Sequence, residues 1–154
     1  MRLIAGIILL VVSTFLGFSY SGRYGERRKT FERLGSFNSR VKTEVVFSKG
    51  SLVSLVKNTD CDNPATEYIR DFFLEKKESE DKLKIFTKEE KDFFTDYVRR
   101  IGQGDKKSQT DYLEAAEAKI NGYIAAAEEA DKKYRPLCIK LGFLFGLIIL
   151  IILL

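Results

Sequence analysis

The sequence predicts an all-α protein in which a helical bundle lies between two transmembrane helices. Three observations predict this fold class. Residues 3–20 and 141–154 carry no charge, although 31% of the chain is charged. Between them, apolar residues recur at steps of three and four, which is the period of a helix face. Helix-start signals precede several of these runs. Apart from a few residues near Val53, no stretch alternates apolar and polar residues as a strand does.

The first apolar segment, LIAGIILLVVSTFLGFSY, runs from Leu3 to Tyr20. Its 18 residues would form a helix of about 27 Å, close to the roughly 30 Å hydrocarbon core of a membrane. The alternative is a cleaved signal peptide, since Arg2 is a basic start and Ser19–Ser21 a small-x-small site. The length of the segment favours a retained anchor, which we assign to residues 1–22.

The second apolar segment, LGFLFGLIILIILL, runs from Leu141 to Leu154. Extended back to Leu137, it would also form a helix of about 27 Å. Lys140 would then lie at headgroup level, where its long side chain can reach water. A core helix of a soluble protein is the alternative, but such a helix is rarely apolar on every face. We assign residues 137–154 to a C-terminal anchor.

Basic residues mark the inner side of both segments. Beyond the segments, at the chain ends, only Arg2 and the α-amine are basic, whereas the basic residues inside them are numerous: Arg23, Arg27, Arg28, Lys29, Arg33, Arg40 and Lys42 after the first, and Lys132, Lys133, Arg135 and Lys140 before the second. The sequence therefore predicts that residues 23–136 are cytoplasmic and that both termini lie at or beyond the opposite face.

The cytoplasmic residues divide into helices. The first continues the N-terminal anchor to Phe47, and a short helix capped by Ser51 follows the turn Ser48–Gly50. Asn63-Pro64 is typical of a helix start. The charged stretch at residues 76–84 is predicted to be a solvated connection.

Two more helices complete the predicted bundle. Thr87 and Glu90 form a capping box before a helix that Gly102 ends. The last helix begins near Ser108, and Pro136 either bends it or marks its entry into the membrane.

Composition excludes several functions. The chain has no histidine, so Ser-His and Cys-His nucleophiles and His-containing zinc sites are excluded. Its two cysteines, Cys61 and Cys138, do not suggest a disulfide framework, and Asp60-Cys61-Asp62 is interpreted as a polar turn. The net charge of +4 is spread over both signs and does not indicate nucleic-acid binding. We predict that the protein is not an enzyme and has no catalytic, cofactor-binding or metal-binding residues.

Candidate site residues fall in two groups. Glu44 and Lys49 flank the first turn of the cytoplasmic region and are predicted to bind a partner; the alternative for Glu44 is a helix-end carboxylate that is exposed to water. In the apolar segments, Ser13 and Gly17 repeat at spacing four, as do Gly142 and Gly146. Such small residues allow membrane helices to approach closely. We predict that the two anchors pack as an antiparallel hairpin, with Ser21 extending the first stripe and with Leu10 and Leu150 facing lipid.

Several segments together resemble the stage III sporulation protein AB family of endospore-forming bacteria. They are, in order, MRLIAGIILLVVSTFLGF, RYGERRKTFERLGSFNSRVKTEVVFSKGSLVSLV, TKEEKDFFTDYVRRIGQGDKKSQ, the Ala/Glu-rich helix and the apolar tail. The order of these segments carries the resemblance. It implies a structural subunit of the sporulation channel, a secretion-like complex in the mother-cell membrane around the engulfed forespore.

The same resemblance implies partners. Family members are similar to the cytoplasmic domains of platform proteins of type II secretion and type IV pilus systems. The stretch SKGSLVS (48–54) resembles the turn and second-helix start of those domains. The expected partners are other stage III channel proteins, above all the secretion-type ATPase called stage III sporulation protein AA, together with membrane lipids. The resemblance does not distinguish a monomer from a homo-oligomer. The alternative function is a membrane-tethered coiled-coil adaptor of a division or signalling assembly, using the helix from Tyr112 to Tyr134.

Overall fold

The computed structural model describes residues 2–47, 52–60, 62–77 and 80–153. Within these ranges the chain is helical and contains no strand, so the predicted all-α fold class is confirmed. The α-helices are α1 (Arg2–Phe47), α2 (Leu52–Lys57), α3 (Pro64–Arg70), α4 (Lys88–Arg100) and α5 (Lys106–Leu153). A π-helical turn, Asp71–Glu75, follows α3, and a 3-10 turn, Glu80–Leu83, precedes α4.

The helix starts predicted at Asn63 and Thr87 are confirmed. The Asn63 side chain accepts hydrogen bonds from the amides of Ala65 and Thr66 at 3.0 and 3.1 Å. At α4, the Thr87 amide donates to the Glu90 carboxylate at 2.9 Å and the Thr87 hydroxyl accepts from the Glu90 amide. These contacts satisfy amides that have no partner within the first turn.

Two element boundaries differ from prediction. The stretch at 76–84 is more than a solvated connection, because its 3-10 turn buries Leu83 to 2% exposure. Helix α5 begins at Lys106, before Ser108, and runs through Pro136 without a break. The other long helix, α1, continues from the first apolar segment to Phe47 without interruption, as predicted.

The π-helical turn ends at Lys76, which has a left-handed backbone with φ of 54°. The amide of this residue donates to the Asp71 carbonyl. That bond satisfies the Asp71 carbonyl at the start of the turn.

The chain forms two compact units. The terminal unit comprises residues 1–28 and 126–154, and the central unit comprises residues 29–125. Both α1 and α5 contribute to both units, because each begins in one and ends in the other.

The central unit contains the buried core. Its aromatic rings interlock: Phe31 stacks on Tyr123 with centroids 5.2 Å apart and meets Phe86 edge-on at 5.0 Å. All main helices contribute buried side chains: Phe31, Leu34 and Val41 from α1, Val56 from α2, Tyr68 and Ile69 from α3, Phe94, Tyr97 and Val98 from α4, and Leu113, Ala116 and Ile120 from α5. The predicted apolar stripes therefore converge on one core.

The terminal unit has the opposite character. Two helices, α1 and α5, are long and apolar enough to cross a membrane. Their large apolar side chains point outward, as with Phe15 at 67%, Phe145 at 61% and Ile151 at 69% exposure. Water would disfavour so much apolar surface, whereas lipid accommodates it.

Candidate interaction surfaces and helix packing

Glu44 lies on the last turns of α1 and is half-buried, while Lys49 lies outside the described residues. Near Glu44, the Lys106 ammonium donates a hydrogen bond to the Val46 carbonyl at 2.6 Å. The last carbonyls of a helix lack helical partners, so this lysine joins the end of α1 to the first turn of α5.

The α4–α5 turn lies at the same end of the central unit. Gly102 and Gly104 adopt left-handed backbone angles, with φ of 82° and 94°, which glycine adopts without steric penalty. A Cβ on Gly102 would lie 3.0 Å from the Leu52 side chain, so α2 packs on this turn. We use the name turn surface for Glu44, Val53, residues 102–105 and Lys106.

Gln109 holds the turn in place from within. Its side-chain oxygen accepts from the Gly102 amide at 2.9 Å, and its amide group donates to the carbonyls of Arg100 and Gln103. Gln109 is 6% exposed. A buried side chain that bonds three backbone groups fixes the shape of the turn, so the turn surface is ordered before any partner binds.

A buried polar cluster lies deeper between α1, α4 and α5. The Asn38 amide donates to the Leu113 carbonyl at 3.1 Å, and its side-chain oxygen accepts from the Tyr97 hydroxyl at 3.1 Å. Both side chains are fully buried. Burial raises the pKa of Tyr97 far above its ordinary value, because the phenolate would lose its hydration.

The neighbouring Tyr112 stacks on Tyr97 with ring centroids 6.4 Å apart. Burial, with a smaller effect of the Asp96 carboxylate, raises the pKa of Tyr112 to about 12. The Arg100 guanidinium lies over the Tyr112 ring and also pairs with Asp96 at 2.8 Å. Burial therefore keeps both tyrosines in their neutral form near neutral pH.

A charged contact joins α1 and α5 on the outside of the central unit. The Lys42 ammonium lies 3.2 Å from the carboxylates of both Glu114 and Glu117. Hydrogen bonds that the Lys42 ammonium donates to these carboxylates raise the pKa of Lys42. The three groups form an exposed ion-pair network, which helps to set the pairing of the helices but adds little stability.

The described part of the chain contains a surface groove but no cluster of metal ligands. Within it, no three Cys, Asp or Glu side chains lie together as metal ligands would. The groove, of about 300 Å³, runs between the 3-10 turn and α4. Its lining mixes both charges with one buried leucine: Asp81, Leu83, Lys84, Lys91, Asp92 and Thr95.

In the terminal unit, α1 and α5 touch through the small residues that the sequence singled out. The Ser13 hydroxyl donates to the Gly142 carbonyl at 2.7 Å. A Cβ on Gly17 would lie 2.7 Å from the Cys138 carbonyl oxygen and 3.1 Å from the Gly142 Cα. Only glycine fits where backbones approach so closely.

The pairing continues beyond these residues and corrects one expectation. A Cβ on Gly146 would lie 2.9 Å from the Leu10 Cα, and a Cβ on Gly6 would meet the Leu150 side chain. Leu10 and Leu150 therefore pack against the facing helix instead of facing lipid. Sequence reasoning missed Gly6, although it lies four residues before Leu10 and seven before Ser13, on the same helix face.

Comparison with curated proteins gives no match, and neither does comparison with solved structures. Comparison with protein families gives one: the family model described as stage III sporulation protein AB matches residues 74–154. The matched region includes α4 and all of α5. It therefore contains residues 102–106 of the turn surface and the glycines of α5 that pack in the terminal unit. With more than half of its length matched, this chain belongs to the stage III sporulation protein AB family.

Proposed function

We propose that this chain is a membrane-anchored structural subunit of the sporulation channel, a secretion-like complex in the mother-cell membrane around the engulfed forespore. Its central unit serves as the docking platform for a secretion-type ATPase, stage III sporulation protein AA. Family membership is the observation that carries the proposal. The resemblance to platform proteins of type II secretion and type IV pilus systems supports the finer role.

The proposed topology is that of an integral membrane protein. Helices α1 and α5 cross the membrane with their apolar segments, residues 23–136 lie in the mother-cell cytoplasm, and both termini lie at or beyond the opposite face. The support is the excess of Lys and Arg on the inner side of each segment. Exposed apolar side chains on both helices fit contact with lipid.

The proposed role needs no reaction at the chain itself. The ATPase supplies the chemistry, and this protein supplies an anchored surface of fixed shape. An ordered surface suits such a role, because a partner that binds it does not have to order a flexible loop first. The Gln109 hydrogen bonds and the Lys106–Val46 contact give the turn surface this order.

The turn surface is the proposed docking site for the ATPase. It carries the Glu44 carboxylate, the exposed Lys106 side chain and Val53, an apolar side chain that is 41% exposed. A surface of this kind offers charge for specificity and an apolar side chain for burial. Lys49, between α1 and α2 in sequence, belongs to the same proposal.

Copurification of the full chain with the ATPase, in mild detergent, tests the role. Glu44→Lys and Lys49→Glu should each weaken the association several-fold while helix content, measured by circular dichroism, stays unchanged. Glu129→Lys is the matched control, because Glu129 is an exposed carboxylate on α5 in the terminal unit. Association that neither reversal changes would move the contact elsewhere. No association with the ATPase would favour the adaptor of another assembly.

A further inference from the structure

A band of tyrosines and cations surrounds the place where the apolar segments of α1 and α5 end. Tyr24 of α1 and Tyr134 of α5 stack with ring centroids 5.6 Å apart, which sets the level of one helix against the other. We call this band the tyrosine–cation belt; it consists of Tyr20, Arg23, Tyr24, Arg27, Lys133, Tyr134 and Lys140.

Cations and rings in the belt are arranged in pairs. The Arg23 guanidinium lies 5.5 Å from the centroid of the Tyr20 ring, and the Lys133 ammonium lies 5.4 Å from that of Tyr134. Both rings are exposed, Tyr20 at 56% and Tyr134 at 39%. A cation held over an exposed ring keeps most of its hydrogen-bond donors available for an acceptor outside the protein.

Helix geometry puts the belt on one side of α1. Tyr20, Arg23, Tyr24 and Arg27 follow at steps of three, one and three, so all four side chains share a face. On α5, Lys140 lies six residues beyond Tyr134, which is about 9 Å along the helix. A headgroup layer is about 5–8 Å thick on each side of a bilayer. The belt therefore has roughly the height of that layer.

Two of the acidic groups nearby pair with cations outside the belt. Asp131 is buried to 6% exposure, with its carboxylate 3.9 Å from the Arg28 guanidinium, and Glu128 pairs with Lys132 at 2.7 Å. Among the described residues, no carboxylate lies within ion-pairing distance of Arg23, Lys133 or Lys140. Glu26 and Glu129 are exposed carboxylates nearby, but Lys and Arg still outnumber Asp and Glu in residues 20–28 and 128–140, so this region is positive overall.

We propose that the tyrosine–cation belt binds the headgroups of anionic phospholipids, with Arg23 and Lys133 contacting the phosphate and Tyr20 and Tyr134 lying against the glycerol region. This proposal rests on the proposed crossing of the membrane by α1 and α5. Cations that face a membrane surface attract anionic lipid, and aromatic rings with a polar end prefer the interface. Neutral phosphatidylcholine offers the same phosphate without net negative charge, so it should bind more weakly.

Native mass spectrometry of the full chain in mild detergent tests the proposal. Phosphatidylglycerol or phosphatidylcholine is added in equal amounts, and the bound lipid is counted. The unmodified chain should retain more phosphatidylglycerol. Arg23→Gln combined with Lys133→Gln should reduce that binding by roughly fivefold for each cation. The control combines Lys88→Gln with Lys107→Gln, two exposed lysines of the central unit, and should leave it unchanged.

Two outcomes would overturn the proposal: equal retention of both lipids, or equal loss of phosphatidylglycerol binding in the two double variants. Competition by water-soluble glycerophosphoglycerol would show binding of the headgroup alone, without a membrane, and would also overturn it. Alkaline carbonate extraction tests separately whether the chain crosses the membrane. A chain that resists extraction but has no lipid preference refutes the belt alone, whereas a chain that is extracted refutes the membrane crossing.

Discussion

Single buried polar side chains specify how the helices of the central unit pack against one another. Asn38 follows Phe37 on α1, and the spacing of apolar residues in the sequence does not distinguish which of the two points inward. The structure buries both, and it gives Asn38 a donor role toward Leu113 and an acceptor role toward Tyr97. No pattern within one helix could predict these partners, because they lie 75 and 59 residues away.

The hydrogen bond between Asn38 and Tyr97 can be tested with a double-mutant cycle. Tyr97→Phe should lower the free energy of unfolding by about 1–3 kcal/mol, because the Asn38 oxygen loses its partner inside the core. Asn38→Leu should cost about as much by leaving the Tyr97 hydroxyl alone. The double variant should cost clearly less than the sum. Thermal unfolding of the full chain in detergent, followed by circular dichroism, measures the three values.

Tyr112→Phe is the control for this cycle, since the hydroxyl of Tyr112 belongs to a residue that is only half-buried. Its effect should stay within about 0.5 kcal/mol. Strictly additive effects of Asn38→Leu and Tyr97→Phe would mean that the two side chains contribute to stability independently.

Stability should also fall in alkali because of the same tyrosines. Burial raises the pKa of Tyr112 to about 12, whereas an unfolded tyrosine titrates near 10. The folded state therefore binds the proton more tightly, so the resulting stability is complete below pH 10 and is lost as the pH rises toward 12. Tyr97, whose pKa is also raised, acts in the same direction.

A spectroscopic titration checks this pH dependence. Tyrosinate absorbance of the full chain should show a late-titrating component that Tyr112→Phe diminishes, and unfolding temperatures should drop between pH 10 and 12. Tyrosine ionisation that is complete near pH 10, with no loss of structure, would contradict the prediction.

Helices, in contrast, are largely predictable where their ends carry chemical signals. Asn63 and the Thr87–Glu90 capping box mark starts that the structure confirms, because a cap depends only on neighbouring residues. The 3-10 turn at Glu80–Leu83 was missed, since its charged sequence gives no sign that Leu83 is buried against distant side chains. Whether such a short element forms depends on its tertiary contacts.

Two glycines of α1 allow a matched test of helix packing. Gly17→Ala should destabilise the contact between α1 and α5 by about 1–3 kcal/mol, because the new Cβ would meet the Cys138 carbonyl oxygen at 2.7 Å. Gly22→Ala should stabilise the chain by up to about 1 kcal/mol, since nothing lies within 4 Å and alanine favours a helix. The opposite signs separate packing from propensity. Thermal unfolding in detergent measures both, and equal effects would contradict the contact.

Cross-linking gives the same contact a geometric test. In a background without Cys61 and Cys138, Gly6→Cys with Leu150→Cys should form a disulfide, because a Cβ at position 6 lies 3.7 Å from the Leu150 Cα. Ile8→Cys with Ile151→Cys is the control, as both side chains are exposed, at 57% and 69%. A control pair that links while the test pair does not would place the interface on other faces.

Taken over its full length, the chain shows which parts of a candidate site a sequence can predict. Small residues at regular spacing indicated where α1 and α5 could pack, and Ser13, Gly17 and Gly142 do meet in the structure. The larger residues opposite these glycines were beyond the sequence, because they depend on the facing helix: Gly146 meets Leu10, which was predicted to face lipid. The turn surface was indicated only through Glu44, since the residues that hold it, such as Gln109, are polar and look like ordinary surface residues.

The proposed topology predicts the accessibility of Cys61, which lies outside the described residues. In intact cells, Cys61 should react with a thiol reagent only if that reagent crosses membranes, because the proposed topology, inferred from the flanking basic residues, puts Cys61 on the cytoplasmic side. The measurement compares permeant and impermeant maleimides in a Cys138→Ser background, with permeabilised cells as the positive control. Labelling by the impermeant reagent in intact cells would reverse the orientation.

The left-handed backbone at Lys76 has a consequence for the evolution of this protein. Glycine adopts such a φ without penalty, whereas lysine pays about 1 kcal/mol or more because its Cβ crowds the backbone. Natural selection removes only those variants that fall below a working stability, so a strained lysine persists as long as the rest of the fold compensates for it. A single substitution of Lys76 to glycine would therefore stabilise the fold. That gain in stability could offset a later destabilising change elsewhere in the chain.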